Sequence, residues 1–348
     1  MSFLAIAISF LIYFSSAAVS VLFIKGAEKR KSKILAAIGI LIPSVVAAFR
    51  QSGIDFHAYN GIYDYIHAGG FDYPIEIGWK LLNVIAPSYK VLLFIAALIF
   101  FGVSYLAMRK FETRYRWISW LVILSVSTGM FYNVTRQGIA SAFVFLGIAY
   151  FSKKKCLRFA ISVALGALFH KTALIMLLLL PLYWFIMKRV KKLMLATVIM
   201  SAVALLSVPI VAALVSRLGI FSSYVENITF DFSFLFLFYT LPPLMLYAWK
   251  PSDFKDDKKL HFALAIYLFV IPMQFLGMRI AFADRIMLYF RPMLAIVVPL
   301  IIEHYDKKSK TKGKNARVFY VLWFIFYHVI MGVILNENGM YPYINFNF

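Results

Sequence analysis

Two short polar stretches carry the residues of this chain whose types are suited to chemistry. The first reads NVTRQGIA from Asn133 to Ala140, and the second reads FHKT from Phe169 to Thr172. Almost uninterrupted apolar sequence surrounds both. A guanidinium group binds phosphate oxygens, and an imidazole takes up a proton near neutral pH, so the pair suits group transfer from a phosphorylated substrate. The candidate side chains in these stretches are Arg136, Gln137, His170 and Lys171.

The composition places these residues in a membrane protein. The chain has 348 residues, of which 63% are hydrophobic and 15% charged, and its mean hydropathy is +0.82. Ordinary globular domains contain about 25% charged residues. We therefore predict an all-α, polytopic membrane protein that forms one integral domain over residues 1–348. The first apolar run is long enough to span, so no cleaved leader is required. One cysteine, Cys156, excludes an internal disulfide.

Apolar runs predict about 12 transmembrane helices. They cover residues 3–24, 33–49, 89–108, 117–132, 137–151, 158–169, 172–187, 193–214, 232–249, 260–276, 286–302 and 317–335. Of the 36 lysines and arginines, 27 lie in the odd-numbered connections. The positive-inside rule then puts those connections in the cytoplasm and both termini on the outer side of the membrane. This pattern also explains the net charge of +21, so we expect contact with anionic membrane lipid and no nucleic-acid partner.

The remaining nine cations all fall on the predicted outer side. They are Arg50, Lys80, Lys90, Arg136, Lys171, Arg217, Arg279, Arg285 and Arg291. Lys90 and Arg217 suit a role as anchors of helix ends. A helix from Arg158 to His170 is only roughly 18 Å long, whereas the hydrocarbon layer is about 30 Å thick, so His170 is expected below the outer surface. Ionisable residues at such depth usually line a cavity or a pathway.

Each of these residues also has a simpler structural role open to it. Arg136 can snorkel to the interface, His170 can bond a backbone carbonyl at a helix end, and Arg285 can pair with Asp284. Five arginines on one side favour instead a cavity for a lipid-linked phosphate or pyrophosphate, with His170 as a general base. The sequence contains no Asp-x-Asp motif, no His/Cys ligand cluster and no glycine-rich phosphate loop, so we predict no metal and no cofactor.

The longest outer segment, residues 50–88, mixes aromatic side chains with carboxylates. That mixture suits carbohydrate, whose C–H faces stack on rings while carboxylates hold the hydroxyls, but an aromatic belt at the membrane interface explains it equally well. Within the segment, Ile75 to Ile85 is predicted to form an amphipathic helix on the outer surface.

Four stretches of this sequence resemble the EpsG family of Wzy-type polysaccharide polymerases. They are GIDFHAYNGIY from Gly53, EIGWKLLN from Glu76, NVTRQGIA from Asn133 and LFHKTA from Leu168. The resemblance implies an enzyme of the bacterial inner membrane that joins undecaprenyl-pyrophosphate-linked repeat units on the periplasmic side, giving O-antigen or exopolysaccharide. The partners it implies are the lipid-linked donor and acceptor glycans, with a chain-length regulator as a further candidate.

The resemblance also assigns roles to individual residues. It marks Arg136 and His170, with Arg50, Asp55 and Tyr59 in the first outer segment. We take His170, Arg136 and Asp55 as catalytic candidates, with Arg50, Tyr59, Gln137 and Lys171 as substrate-binding candidates. Arg279, Arg285 and Arg291 join the substrate-binding set because of their charge and predicted depth. A transporter or flippase for a lipid-linked or anionic substrate is the main alternative, and a membrane acyltransferase is a third.

Overall fold

The computed structural model describes residues 3–182, 197, 199–203, 206, 244–247, 254, 257–277 and 285–341. In this part of the chain every regular element is a helix, which confirms the all-α prediction there. The predicted segments 193–214 and 232–249 lie mostly outside the described residues, and Arg279 and Asp284 lie outside them entirely.

The first half of the chain forms nine α-helices. They are α1 Phe3–Arg30, α2 Lys33–Ala48, α3 Phe56–His67, α4 Ile77–Ile85, α5 Tyr89–Phe111, α6 Arg116–Val122, α7 Thr128–Asn133, α8 Thr135–Phe151 and α9 Cys156–Ala167. A π-helical turn, Ile123–Ser127, joins α6 to α7, so these three pieces form the single segment predicted over 117–132. A 3₁₀ helix, Lys171–Leu178, follows α9.

The described part of the second half includes four further α-helices. They are α10 Lys258–Tyr267, α11 Val270–Gly277, α12 Leu294–Lys308 and α13 Lys310–Tyr327. A short 3₁₀ helix, Arg291–Met293, precedes α12, and a π-helical segment, His328–Ile334, continues α13.

Five helical stretches among the described residues are long and apolar enough to cross a membrane. They are Leu4–Arg30, Tyr89–Phe111, Lys258–Gly277, Arg285–Lys308 and Lys310–Ile334. Three shorter apolar helices accompany them, at Lys33–Ala48, Cys156–Ala167 and Lys171–Leu182. The chain is thus a helical membrane protein. The number of about 12 spans and the periplasmic placement of both termini stay predictions.

The basic connections meet at one end of the helix bundle. Contacts between them join Glu28 with Arg116, Glu112 with Lys153 and Lys259, and Asp306 with Arg114 and Arg317. These contacts involve the first, third, fifth, ninth and eleventh predicted connections. The charge alternation therefore identified connections that share an end of the molecule. Which face of the membrane that end occupies rests on the positive-inside rule.

Helix α8 lies at the centre of the described bundle and packs against α5, α7 and α9. Small residues permit this close packing. A Cβ atom added to Gly138 would lie 2.8 Å from the Phe131 ring, and one added to Gly166 would lie 3.0 Å from the Ala140 carbonyl oxygen. The central position of α8 brings its first turn, with Arg136 and Gln137, into contact with several other elements.

The helix predicted over Ile75–Ile85 is present as α4. Its Trp79 side chain is fully buried, whereas Ile77, Leu81 and Ile85 are exposed. Exposed apolar side chains along one side agree with a helix that lies against lipid, although its place on the outer surface stays a prediction.

Candidate functional site

Glu76, immediately before α4, joins the two polar stretches into one site. Its Oε2 atom pairs with Nη1 of Arg136 at 2.5 Å. Its Oε1 atom lies 3.4 Å from Nδ1 of His170 and accepts the backbone N–H of Lys171 at 3.2 Å. One carboxylate therefore holds together the start of α4, the first turn of α8 and the beginning of the 3₁₀ helix after α9.

A close backbone contact places Glu76 beside the second stretch. The N–H of Gly78 donates to the carbonyl oxygen of Leu168 at 2.8 Å. A Cβ atom at position 78 would lie 2.7 Å from that same oxygen, which is too close for any side chain. Glycine at this position thus lets the start of α4 approach the end of α9, and Glu76 then faces His170.

The surroundings of Glu76 keep its carboxylate ionised. Burial by itself raises the pKa of this group. The contact with His170, the charge of Arg136 and the backbone N–H of Lys171 outweigh burial and hold the pKa of Glu76 at about 2. The side chain is only 10% exposed. The site therefore contains a fixed negative charge directed at a guanidinium group and an imidazole.

Tyr59 of α3 forms another wall of this site. Its ring centre lies 5.7 Å from Cζ of Arg136, a distance suited to a cation–π interaction, and 5.3 Å from the ring centre of Trp79. Burial raises the pKa of Tyr59, so its hydroxyl stays protonated. Asp55 lies one turn earlier, at the N-terminus of α3, and its side chain makes no capping hydrogen bond.

Arg50 supports the site from behind. It is 2% exposed, and its guanidinium group donates to the Tyr132 carbonyl oxygen at 2.9 Å and to Oγ1 of Thr135 at 3.0 Å. These contacts stabilise the break between α7 and α8, directly before Arg136. The geometry favours a positioning role for Arg50, whereas the sequence had suggested direct binding of substrate.

Gln137 and Arg285 connect the site to the segment before α12. The Nε2 atom of Gln137 donates to the backbone oxygen of Arg285 at 2.5 Å, and the Arg285 side chain is exposed. Nearby, Oγ1 of Thr172 and the hydroxyl of Tyr289 lie 2.7 Å apart. The backbone of Arg285 is thus held next to the first turn of α8.

The remaining arginines are placed differently. Arg291 is 5% exposed in the short 3₁₀ helix before α12, and it interacts electrostatically with Tyr327 of α13. The contacts described around Glu76 do not include it. Arg279 lies outside the described residues. The structure thus brings Arg136, His170, Lys171, Tyr59 and Gln137 together, supported by Arg50 and flanked by Arg285 and Asp55.

Three residues of this arrangement received no role from the sequence. Glu76 joins the cluster, and Thr172 and Tyr289 bond to each other beside it. A usable signal existed for Glu76, since it opens one of the four quoted stretches and the chain has only 15 acidic residues. Tyr289 is one of 21 tyrosines and sits in an apolar run that does not distinguish it.

The site combines an ionised carboxylate, a guanidinium group and an imidazole, with Lys171 and Arg285 exposed beside them. Cations outnumber carboxylates, so the cluster suits an anionic ligand, and the imidazole can take up a proton. Among the described residues, no group of three His, Cys, Asp or Glu side chains is arranged to hold a metal ion.

The model of the EpsG family matches residues 33–345, which include every residue of the site. None of the curated proteins and none of the solved structures in the comparison matches the chain.

Proposed function

The chain belongs to the EpsG family, and on that basis we propose that it polymerises undecaprenyl-pyrophosphate-linked oligosaccharide repeat units by glycosyl transfer. EpsG family members are Wzy-type polysaccharide polymerases. In our proposal the reaction takes place on the periplasmic side of the bacterial inner membrane and yields O-antigen or exopolysaccharide. The observation that supports it best is the joining of Arg136 and His170 through Glu76.

Binding of the donor pyrophosphate requires positive charge that Glu76 does not neutralise. Arg136 is paired with Glu76, but Lys171 and Arg285 are exposed next to this pair. Arg136 and Lys171 therefore carry two positive charges beside the single carboxylate of Glu76, and the backbone of Arg285 is held next to Gln137. In our proposal these cations stabilise the charge that builds up on the leaving pyrophosphate, which is an electrostatic contribution that needs no metal ion.

His170 is the proposed base. Its Nδ1 atom faces the ionised Glu76, so a proton on Nδ1 leaves Nε2 as the nitrogen with a free lone pair. The acceptor hydroxyl oxygen forms a bond to the anomeric carbon of the donor, and its proton passes to Nε2. The bond between that carbon and the pyrophosphate oxygen breaks, and undecaprenyl pyrophosphate leaves with the electron pair.

Tyr59 and Trp79 support the part of the site that the substrate would contact. The two aromatic rings pack against each other beside Arg136. Trp79 is fully buried and Tyr59 nearly so, which makes them a rigid support for the more exposed groups of α3.

The direct test uses purified protein in liposomes with lipid-linked repeat units and gel analysis of the glycans. We expect a ladder of longer products that persists in EDTA and is lost in His170→Ala. The control variant is His57→Ala, whose side chain is exposed on α3. Repeat units that cross the bilayer without becoming longer would contradict the proposal and support a flippase. A ladder that EDTA abolishes would contradict the metal-independent mechanism alone.

A further inference from the structure

A basic cavity lies at the end of the bundle where the basic connections meet. Its volume is about 540 Å³, and it opens between the α1–α2 hairpin and helices α5 and α6. Helix α8 runs for roughly 25 Å from Arg136 to this end, so the cavity is remote from the site around Glu76.

The geometry of the α1–α2 hairpin creates one wall of the cavity. Only Lys31 and Ser32 separate the two helices, and Lys31 has a φ of 52° in the left-handed region. The helices then pack closely, because Oγ of Ser20 donates to the Gly39 carbonyl oxygen at 2.5 Å. This tight turn holds Lys31 and Lys33 in the lining of the cavity, together with Arg109 of α5 and Arg116 of α6.

The lining of the cavity combines positive charge with apolar surface. It contains four cations: Lys31, Lys33, Arg109 and Arg116. Its other lining residues are mostly apolar: Ala27, Ala36, Ala37, Ile40 and Tyr105. No carboxylate belongs to the lining among the described residues, although Glu28 accepts the backbone N–H of Arg116 next to it at 3.4 Å. Such a cavity suits a ligand with an anionic head and an apolar tail.

An apolar track leads away from the cavity along α2. Ala37, which lines the cavity, is followed at four-residue steps by Leu41 and Val45, and all three are exposed. Residues four apart lie on the same side of a helix, so these side chains form one strip. The strip runs toward the middle of the predicted span. A soluble anion gains nothing from this apolar strip, whereas an acyl chain packs against it.

We propose that this cavity is a binding site for an anionic phospholipid of the cytoplasmic leaflet. The lipid phosphate lies among the four cations, and an acyl chain follows Ala37, Leu41 and Val45 along α2. Basic pockets between membrane helices at the cytoplasmic face are suited to such head groups. The site does not depend on the polymerase reaction, since none of its residues takes part in the site around Glu76.

Native mass spectrometry of the purified protein tests this site. The probes are phosphatidylglycerol and phosphatidylcholine, added separately at matched concentrations to the wild type and to the Lys33→Ala/Arg109→Ala double variant. The control is Lys154→Ala/Lys155→Ala, which removes two exposed cations from the connection after α8. Near a membrane surface, each cation is worth about fivefold in affinity.

We expect the wild type to retain phosphatidylglycerol in preference to phosphatidylcholine. The Lys33/Arg109 variant should lose at least about tenfold in that affinity, and the Lys154/Lys155 variant should bind as the wild type does. Equal loss in both variants, or none in the first, would overturn the proposal. Glycerol 3-phosphate is the further competitor. If it displaced the lipid at matched concentration, the cavity would be a site for a soluble anion instead.

Discussion

Glu76 precedes α4 and His170 follows α9, yet a carboxylate oxygen of Glu76 lies 3.4 Å from Nδ1 of His170. The other carboxylate oxygen holds Arg136. A negative charge in this position orients both neighbours, as the carboxylates behind catalytic and metal-bound histidines do. The proposed base and the proposed pyrophosphate-binding arginine therefore depend on the same side chain, and this dependence can be tested.

Glu76→Gln keeps the size of the side chain and removes its charge. We expect polymerisation to fall by roughly 10–100-fold, because His170 and Arg136 lose their common orienting group. The loss of the partly buried ion pair should cost about 1–3 kcal/mol in stability. Ladder formation and thermal unfolding measure the two effects. Glu112→Gln, in an exposed pair with Lys153 at the other end, is the control and should polymerise normally.

His170→Ala removes the proposed general base. We expect chain extension to fall by roughly 10²–10⁴-fold, the usual contribution of a positioned base, with normal amounts of folded protein in the membrane. His57→Ala should keep wild-type activity. Long-chain polysaccharide at normal levels in cells that carry only the His170 variant would exclude this residue as the base.

Two substitutions of Arg136 separate the contribution of its positive charge from that of its planar guanidinium geometry. Arg136→Ala should abolish polymerisation, whereas Arg136→Lys should retain part of it, because lysine keeps the positive charge next to Glu76 but loses the planar fork that binds phosphate oxygens in pairs. The KM for the lipid-linked donor should rise in the lysine variant. Equal inactivity of both variants would point to a strictly bidentate role.

Acid should remove the contribution of Glu76 to stability. Its pKa is lowered from 4.5 to about 2 in the folded protein, so the ionised carboxylate stabilises the fold above about pH 4.5. That contribution, on the order of 3 kcal/mol, should disappear as the pH falls through about 2. Melting temperatures of wild type and Glu76→Gln should therefore differ at pH 6 and converge toward pH 2. A constant difference over this range would contradict the lowered pKa.

Gly78→Ala tests the contact that brings α4 to α9. The added methyl group would lie 2.7 Å from the Leu168 carbonyl oxygen, so the helix must move and Glu76 must move with it. We expect a stability loss of about 1–3 kcal/mol and a marked loss of activity. Gly61→Ala in α3 is the matched control, because its added Cβ would meet nothing within 4 Å apart from the neighbouring residues and backbone of its own helix. It should be neutral or slightly stabilising.

Much of the helical architecture can be predicted from local sequence, because hydropathy and charge act locally. The apolar run over 89–108 predicted the helix observed as Tyr89–Phe111, and the run over 137–151 predicted Thr135–Phe151. Charge alternation likewise selected connections that the structure joins at one end, as in the contact of Glu112 with Lys153. The family resemblance, now supported by the match over residues 33–345, rested on short local motifs as well.

The sequence by itself thus determined that this is a helical membrane protein of the EpsG family, and it singled out Arg136 and His170. Only the tertiary structure decided that Glu76 joins them and that Arg50 turns inward to support the break before α8. Such contacts depend on how distant helices pack. No local pattern specifies that packing. The sequence around a carboxylate in a polar outer segment is the same whether that carboxylate faces water or a buried guanidinium group.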